Sequence, residues 1–368
     1  MTYLNIKAPF QLESGQVLPE LQIAYTTYGQ LSKKGDNVIW VCHALTANSE
    51  VHDWWEGLFG AGNLLDPERY FIVCANMIGS CYGSTFAGSL NPLNGQVYGA
   101  DFPLITIKDM VAAHELLRQH MGISHIHLAI GGSMGGQQVL EWAVEKPALF
   151  GHICLLATNA AHSPWGIAFN EAQRMALEVG LQTGDSAMMA KSLEAARAIA
   201  MLSYRSYRSY QNRQQEAVLE KIDDFKAASY QRYQGLKLQK RFDFQAYWSL
   251  SKSMDSHHVG RGRGGVEAAL KRVKARTLVI GIASDILFPV EEQLTIANGI
   301  RYSRLEIIDS IYGHDGFLIE HQTISELVHS LLREPFFTSE KSKYKLQPQL
   351  QNGMGALEKG KLPGTERI

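Results

Sequence analysis

The chain has 368 residues and a formal net charge of −1, with 45% hydrophobic and 19% charged residues. This composition is ordinary for a globular enzyme, and a charge near zero argues against a general surface for nucleic acid or anionic membranes. No apolar run approaches the ~20 residues that cross a bilayer, and residues 1–10 lack the pattern of a signal peptide. The four cysteines form no C-x-x-C pair, so we expect buried thiols in a cytoplasmic protein.

Short apolar segments alternate with helical patterns in the first half of the chain. The expected strands are residues 21–25, 38–42, 70–75, 125–130 and 152–156, and later 277–282 and 304–308. Apolar residues recur at helical spacing between two of them, from Ile107 to Leu117. Nearly continuous apolar strands with helices between them predict an α/β fold with a mostly parallel sheet covered on both faces.

A helical block interrupts this pattern. Residues 159–275 contain helical stretches, such as 169–179 and 187–201, and no convincing strand. We therefore predict a first part of the core at residues 1–158, an inserted helical lid at 159–275, and a second part of the core at 276–337. The last segment, 338–368, is polar and is expected to be a loosely held tail.

The strongest local motif is Gly131-Gly132-Ser133-Met134-Gly135, which matches G-x-S-x-G. An expected strand precedes it and an apolar helical pattern follows, which is the context of the nucleophile elbow in the α/β-hydrolase fold. The tight turn strains the serine backbone, and it needs flanking glycines because side chains would collide there. The motif predicts Ser133 as nucleophile and the Met134 N–H as an oxyanion donor. A glycine-rich turn with a surface serine is the alternative.

The base and its orienting acid should follow the serine in the order acid, then histidine. Asp285 lies just after the expected strand 277–282, and His314 lies in a glycine-flanked loop after the strand 304–308. A serine nucleophile needs such a pair, so we predict a triad of Ser133, Asp285 and His314. Taken alone, Asp285 also resembles a helix N-cap.

Other histidines are weaker candidates for the base. His43 ends an early strand and precedes the nucleophile, while His257 and His258 lie in the insertion and are expected at the surface. The loop after strand 38–42 should supply the second oxyanion donor, and the Leu45 N–H is the expected group.

Further motifs extend through the insertion. They include Cys42-His43-Ala44-Leu45-Thr46, Tyr98-Gly99-Ala100-Asp101-Phe102-Pro103, Ala168-Phe169-Asn170-Glu171, Ser203-Tyr204-Arg205-Ser206, Arg241-Phe242-Asp243 and Gly313-His314-Asp315. With the elbow, these motifs resemble the homoserine O-acetyltransferase family of α/β-hydrolase-fold enzymes over nearly the whole chain up to about residue 332.

The resemblance implies a ping-pong transfer in methionine biosynthesis. Ser133 would take an acetyl group from acetyl-CoA as co-substrate, without another cofactor, and the hydroxyl of L-homoserine would then attack the acyl-enzyme. Arg205 matches the family arginine for the substrate carboxylate, and Asp315 matches the partner of the substrate ammonium. The resemblance also implies a cytoplasmic homodimer that pairs through the lid.

Two departures leave the substrates open. Phe86-Ala87 stand where the family commonly has Gly-Pro, and Ala47 stands where it often has glycine. Both loops are expected near the substrate pocket. The donor could therefore be acetyl- or succinyl-CoA and the acceptor homoserine or serine. A plain esterase or thioesterase with the same triad is the rival interpretation.

Three other patterns are weaker. Residues 260–265 match G-x-G-x-x-G but follow no strand, so we expect a lid loop whose arginines could meet coenzyme A phosphates. Residues 204–213 interleave tyrosines and arginines, which we assign to a lid helix and not to nucleic-acid binding. The sequence has no H-E-x-x-H motif or cysteine quartet, so no metal site is expected.

Overall fold

The computed structural model describes residues 1–333, so the predicted tail at 338–368 lies outside the described residues. An eight-stranded sheet has the order β1-β4-β6-β5-β7-β8-β9-β10, and a small hairpin pairs β2 with β3. The strands are β1 (Thr2–Ile6), β2 (Phe10–Gln11), β3 (Val17–Leu18), β4 (Leu21–Tyr28), β5 (Val38–Cys42), β6 (Phe71–Ala75), β7 (Ile126–Gly132), β8 (Phe150–Leu156), β9 (Arg276–Ile282) and β10 (Ser303–Ile308).

Helices cover this sheet and fill the gap between β8 and β9. They are α1 (Val51–Trp54), α2 (Ile107–His120), α3 (Met134–Glu145), α4 (Pro164–Thr183), α5 (Ser186–Tyr204), α6 (Tyr207–Gln214), α7 (Lys226–Gln239), α8 (Phe244–Asp255), α9 (Val266–Leu270), α10 (Val290–Gly299), α11 (Gly316–Ile319) and α12 (His321–Arg333). Short 3-10 turns occupy Glu56–Leu58, Gly99–Asp101 and Gly313–Asp315.

The sheet is parallel from β6 through β10, and β1 and β4 form an antiparallel edge. Successive side chains of β5 enter two different cores: Trp40 packs with Trp142 on one face, while Ile39 packs in the cluster of Trp55 on the other. Because both faces are covered, β5 is buried along its whole length and the other central strands are buried at most positions, as their continuous apolar sequences predict. All seven predicted strands are confirmed, with bounds shifted by up to three residues.

The edge strand β1 and the β2–β3 hairpin were not predicted. The burial pattern of β1 alternates between exposed and half-buried positions, because one of its faces meets solvent. Its five residues, Thr-Tyr-Leu-Asn-Ile, therefore include polar side chains, and so short an alternating segment gives a weak strand signal.

The chain between β8 and β9 forms helices α4 to α9. Helix α4 begins where the Ser163 hydroxyl accepts a hydrogen bond from the Gly166 N–H and Pro164 occupies the first turn. Gly184 ends it in the left-handed conformation, with a φ of 65°. The side chain of Asp185 then caps α5 by accepting from the Ala187 N–H. These local signals fold α4 back against α5.

Two global expectations can be compared with the structure. The four cysteines are free; Cys42, Cys74 and Cys154 are buried as expected, whereas Cys81 is only partly buried. Within residues 1–333, no helix combines the length and apolar composition of a membrane span.

Candidate active site

Ser133 lies at the turn between β7 and α3, with a φ of 56° and a ψ of −127°. A Cβ on Gly135 would lie 2.1 Å from the Cys42 carbonyl oxygen, and one on Gly131 would lie 2.4 Å from the Gly135 carbonyl oxygen. The turn is therefore closed to larger residues at both positions. The Ser133 N–H donates to the Leu156 carbonyl at 2.9 Å, which fixes the strained residue on the sheet. The geometry is that of a nucleophile elbow.

Asp285 and His314 form a hydrogen-bonded pair. The His314 Nδ1 lies 2.7 Å from the Asp285 Oδ2. The other carboxylate oxygen accepts from the backbone N–H groups of Leu287 and Phe288, at 2.8 and 3.0 Å. Asp285 is not a helix N-cap, because α10 begins at Val290 after Pro289. The carboxylate thus holds one imidazole nitrogen, and the other is left for a reacting group.

Aromatic rings enclose the His314 imidazole. Phe288 stacks on it with ring centroids 5.1 Å apart, and Phe317 and Tyr204 approach at 5.3 and 5.7 Å. Burial disfavours the protonated ring, but the charge and hydrogen bond of Asp285 favour it, and together they raise the pKa of His314 above its ordinary value. The pair is thereby suited to take and return a proton near neutral pH.

Ser133 and His314 line one cavity of ≈ 420 Å³, together with Leu45, Asp315 and Arg197. Other lining residues are Ala44, Thr46, Ala47, Asn48, Asp53, Trp54, Tyr82, Tyr204, Lys237, Arg241, Phe317 and Leu318. The cavity lies over the carboxyl ends of parallel strands, where sites of open α/β sheets usually form.

Two backbone N–H groups are available for an oxyanion. Those of Leu45 and Met134 donate no hydrogen bond to another described residue. The Gln138 amide supports the Leu45 loop by donating to the His43 carbonyl at 3.3 Å, and Arg241 donates to the Thr46 carbonyl at 2.6 Å. Both expected oxyanion donors therefore lie in segments that other side chains or the helix hold in place.

The rival histidines have structural roles. The Nε2 of buried His43 accepts from the Met77 N–H at 3.2 Å, and burial lowers its pKa to about 4. His257 was expected at the surface, and this was wrong: it is buried, its Nε2 lies 3.1 Å from the Asn159 carbonyl, and burial lowers its pKa to about 3. His258 is exposed, as predicted. A backbone carbonyl thus compensates for the burial of His257.

The structure does not place Arg205 in the Ser133 cavity. It follows the last residue of α5 and pairs with Asp315 at 3.1 Å, where it lines a different pocket. Arg197, about two turns earlier on α5, lines the Ser133 cavity instead. Its Nε and Nη1 are buried and have no hydrogen-bond partner in the described chain. The signal that could have identified it is a single charge in the apolar helical run 195–200.

The lid contacts the loop that carries His314. A Cβ on Gly313, which has a φ of 66°, would lie 2.8 Å from the Ser206 nitrogen. The Ser206 hydroxyl donates a hydrogen bond to the Ile311 carbonyl. Arg213 lies over the Tyr312 ring, 5.4 Å from its centroid. Backbone, hydroxyl and guanidinium contacts therefore join the segment after α5 to residues 311–313.

The two arginines of the G-x-G-x-x-G loop are paired with carboxylates and do not form a free cationic patch. Arg261 pairs with Glu13 at 2.9 Å, and Arg263 pairs with Glu141 at 2.5 Å and Glu145 at 2.9 Å. They line a cavity beside the N-terminal segment and not the Ser133 cavity. The loop therefore joins the lid to the core by ion pairs.

The two loops that depart from the family pattern have different positions. Ala47 lines the Ser133 cavity, as expected. Phe86 and Ala87 do not line it; Ala87 lines a separate cavity with Phe102 and Trp248. The substitution at Phe86-Ala87 is therefore not in contact with the space above Ser133. In the described part of the chain, no cluster of three or more His, Cys, Asp or Glu side chains is arranged to hold a metal ion.

Comparisons with known proteins agree with this geometry. Residues 37–320 match the family model for the alpha/beta hydrolase fold. A homoserine O-acetyltransferase from Cyclobacterium marinum is 50% identical over 325 residues, covering 88% of this chain and 92% of that protein. The chain belongs to the homoserine O-acetyltransferase family. Membership in this family agrees with the resemblance inferred from the motifs.

Solved structures give the same fold. The crystal structure of homoserine O-acetyltransferase from Bacillus anthracis has a TM-score of 0.84 at 23% identity, covering 91% of this chain and 98% of that one. An acetylester hydrolase from Corynebacterium glutamicum has a TM-score of 0.80 at 26% identity, covering 90% and 96%. Fold similarity therefore extends from members of the homoserine O-acetyltransferase family to an ester hydrolase.

Proposed function

We propose that this protein is a homoserine O-acetyltransferase, which moves an acetyl group from acetyl-CoA to the hydroxyl of L-homoserine. The observation that carries the proposal is one cavity that Ser133 and His314 line together with the guanidinium of Arg197 and the carboxylate of Asp315. The first pair suits acyl transfer, and the second pair suits an amino acid. The high identity to the Cyclobacterium marinum enzyme supports the same activity.

In the first half-reaction, His314 takes the proton of the Ser133 hydroxyl, and the oxygen attacks the thioester carbonyl carbon. Asp285 stabilises the imidazolium that forms. The N–H groups of Leu45 and Met134 stabilise the negative oxygen of the tetrahedral intermediate. The C–S bond then breaks, His314 gives its proton to the sulfur, and coenzyme A leaves the acetyl-Ser133 ester.

In the second half-reaction, the homoserine hydroxyl replaces the thiol. His314 takes its proton, the oxygen attacks the acetyl-Ser133 carbonyl, and the same N–H groups stabilise the second intermediate. Collapse breaks the bond to the Ser133 oxygen, which takes the proton back from His314. The products are O-acetyl-L-homoserine and the free enzyme, and acetyl-CoA is the co-substrate without a further cofactor.

The charges in the cavity orient the acceptor. The Arg197 guanidinium lies over the Tyr204 ring, 5.0 Å from its centroid, and lines the cavity, where it supplies the cation that a carboxylate requires. Asp315 carries the charge that an ammonium group requires, and it follows His314 directly in the chain. Arg205 holds the Asp315 carboxylate from the other side at 3.1 Å. Arg197 thus takes the role that the sequence resemblance gave to Arg205.

Two exposed basic side chains form part of one wall of the cavity. Lys237 and Arg241 both line it and are both solvent-exposed. Coenzyme A carries phosphate groups, which basic side chains bind. We assign the phosphate contacts to these two lid residues, because the paired arginines of the G-x-G-x-x-G loop line another cavity.

Hydrolysis by the same triad is the second candidate, because an acetylester hydrolase shares the fold at 26% identity. The two activities differ in which nucleophile reaches acetyl-Ser133. The test is coenzyme A release from acetyl-CoA with and without L-homoserine, with the product identified by mass spectrometry. We expect fast release only with homoserine and the mass of O-acetyl-homoserine. Release that ignores homoserine and yields acetate would identify a hydrolase.

The same assay resolves the substrate alternatives. Succinyl-CoA should replace acetyl-CoA poorly, and L-serine should replace L-homoserine poorly. A higher kcat/KM for either replacement would reassign the donor or the acceptor. The fold and the Ser133 mechanism would remain unchanged.

We further propose a cytoplasmic homodimer that pairs through the lid. Large apolar side chains are exposed on α4 and α5, including Met175 at 61%, Val179 at 58% and Leu202 at 55%. Such exposed apolar surface is typical of an interaction site. Light scattering after size-exclusion chromatography should give twice the chain mass of 41.0 kDa. A mass equal to one chain would contradict the dimer.

A further inference from the structure

The end of β8 holds the strained serine on both sides. The Ser133 N–H donates to the Leu156 carbonyl at 2.9 Å, and the Thr158 hydroxyl donates to the Ser133 carbonyl at 2.8 Å. Thr158 is fully buried, and its own carbonyl accepts from the Gln293 amide at 2.7 Å, which ties the residue to α10. This hydroxyl takes no part in proton transfer, yet it is bonded directly to the backbone of the nucleophile.

The local backbone is distorted where it brings Thr158 to this position. Ala157 has a φ of 43°, and Ser133 is one of only two other residues within 1–333 that have a positive φ without being glycine. The two strained residues follow the neighbouring strands β7 and β8, and strain of this kind is concentrated at functional sites. A Cβ on Gly136 would lie 2.7 Å from the Thr158 Cβ, so this glycine leaves the space that the threonine occupies.

The carbonyl that Thr158 contacts belongs to a peptide unit of the oxyanion hole. The Ser133 carbonyl and the Met134 N–H share one planar trans unit, in which the two groups point in opposite directions. Met134 is the first residue of α3, so its N–H has no acceptor within the helix. A hydrogen bond to the carbonyl fixes the orientation of this plane and polarises the N–H on its other side. The Thr158 hydroxyl therefore acts on the oxyanion donor through one peptide bond.

The other oxyanion donor has the same arrangement. The Leu45 N–H shares its peptide unit with the Ala44 carbonyl, which lies 2.9 Å from the His43 Nδ1. Because a carbonyl only accepts, this ring nitrogen carries the proton and donates it. The imidazole thus holds the carbonyl side of one oxyanion peptide unit, as the Thr158 hydroxyl holds that of the other.

We propose that Thr158 is a positioning residue for the oxyanion hole, because its hydroxyl orients and polarises the peptide unit that carries the Met134 N–H. The role applies to both half-reactions, since each passes through a tetrahedral intermediate with a negative oxygen in this hole. The inference deepens the proposed function. Its effect on transfer to homoserine rests on that function, whereas its effect on the acetylation of Ser133 requires only the nucleophile elbow.

The substitution Thr158→Val removes the hydroxyl and keeps the branched shape of the side chain. The Ser133 carbonyl still accepts from the Gln137 N–H at 3.2 Å, so it keeps a partner and the fold should persist. We expect kcat to fall roughly tenfold, less than the 10²–10³-fold that follows the loss of a whole oxyanion donor. The KM values of homoserine and acetyl-CoA should change less than about twofold, because an interaction made only in the transition state does not affect substrate binding.

Further variants separate positioning from stability. Thr158→Ser keeps the hydroxyl and should recover most of the lost kcat. Thr277→Val is the matched control: Thr277 is also fully buried and its hydroxyl donates to the Ala275 carbonyl at 3.0 Å, but it lies at the start of β9, away from the carboxyl ends of the strands. It should lower the melting temperature about as much as Thr158→Val does and leave kcat unchanged. If Thr158→Val does not fold, Thr158→Ala removes the same hydroxyl and carries the same prediction.

Acetylation of Ser133 by p-nitrophenyl acetate measures the oxyanion hole without homoserine. The initial burst of p-nitrophenol should slow in Thr158→Val by about the same factor as kcat, and it should be normal in Thr277→Val. An unchanged burst rate in Thr158→Val, a kcat of Thr158→Ser as low as that of Thr158→Val, or an equal loss in Thr277→Val would overturn the positioning role. A slower burst in a protein that does not acetylate homoserine would refute the proposed function and leave the positioning role intact.

Discussion

The substitution of Arg197 by alanine removes a guanidinium that lines the Ser133 cavity. If two N–H groups of this guanidinium bind the homoserine carboxylate, each contributes about 1.5–3 kcal/mol as a hydrogen bond between charged groups. Their combined loss is then at least about 3 kcal/mol. At about 1.4 kcal/mol per factor of ten, the homoserine KM should rise by roughly 10²-fold or more.

Steady-state kinetics with each substrate varied in turn measure this effect. The acetyl-CoA KM should change by less than about threefold, because the carboxylate contact serves the acceptor alone. Arg197→Lys should recover part of the loss, since it keeps the charge but not the planar fork. Arg205→Ala is the matched control, and it should raise the homoserine KM less than Arg197→Ala. Equal effects of Arg197→Ala on both substrates, or none on homoserine, would refute the assignment.

Three other substitutions test the catalytic geometry. Ser133→Ala should abolish coenzyme A release and the mass shift of the acetyl-enzyme while leaving thermal unfolding unchanged; turnover near the original level would exclude Ser133. Asp285→Asn should lower kcat by about 10⁴-fold. It should also move the acidic limb of kcat/KM to lower pH, because the raised pKa of His314 depends on this carboxylate; an unchanged profile would contradict the pairing. Gly135→Ala should destabilise the fold by roughly 2 kcal/mol or more, since its Cβ would lie 2.1 Å from the Cys42 carbonyl oxygen; an unaltered melting temperature would refute the close packing.

The sequence predicted the central strands and the triad because each has a strong local signal. A strand buried on both faces is a continuous apolar run, and the elbow combines a rare turn with glycines whose positions sterics dictate. Asp285 and His314 were found because parallel strands end at one edge of the sheet. Once the strands were placed, their following loops had to converge on Ser133.

The positions of individual side chains within the insertion were harder to predict. Helical periodicity indicates that Arg197 and Arg205 belong to the same part of the lid, but it does not indicate where α5 ends or which face meets the cavity. Arg205 lies just past the end of α5 and forms an ion pair with Asp315. Likewise, the burial of His257 depends on a carbonyl nearly 100 residues away, at Asn159. Contacts of that range have no local sequence signal.

The contacts between the lid and residues 311–313 couple the exclusion of water from the cavity to the position of the His314 imidazole. Ser206 and Arg213 are attached to the loop that precedes His314, so an outward swing of this lid segment would carry the imidazole away from Ser133. An acetyl-enzyme exposed to bulk water would then lack the base that activates water. Opening of the lid would thus slow hydrolysis of the acetyl-Ser133 ester, because it would also displace the general base. Weaker contacts between the lid and residues 311–313 should therefore increase the formation of acetate.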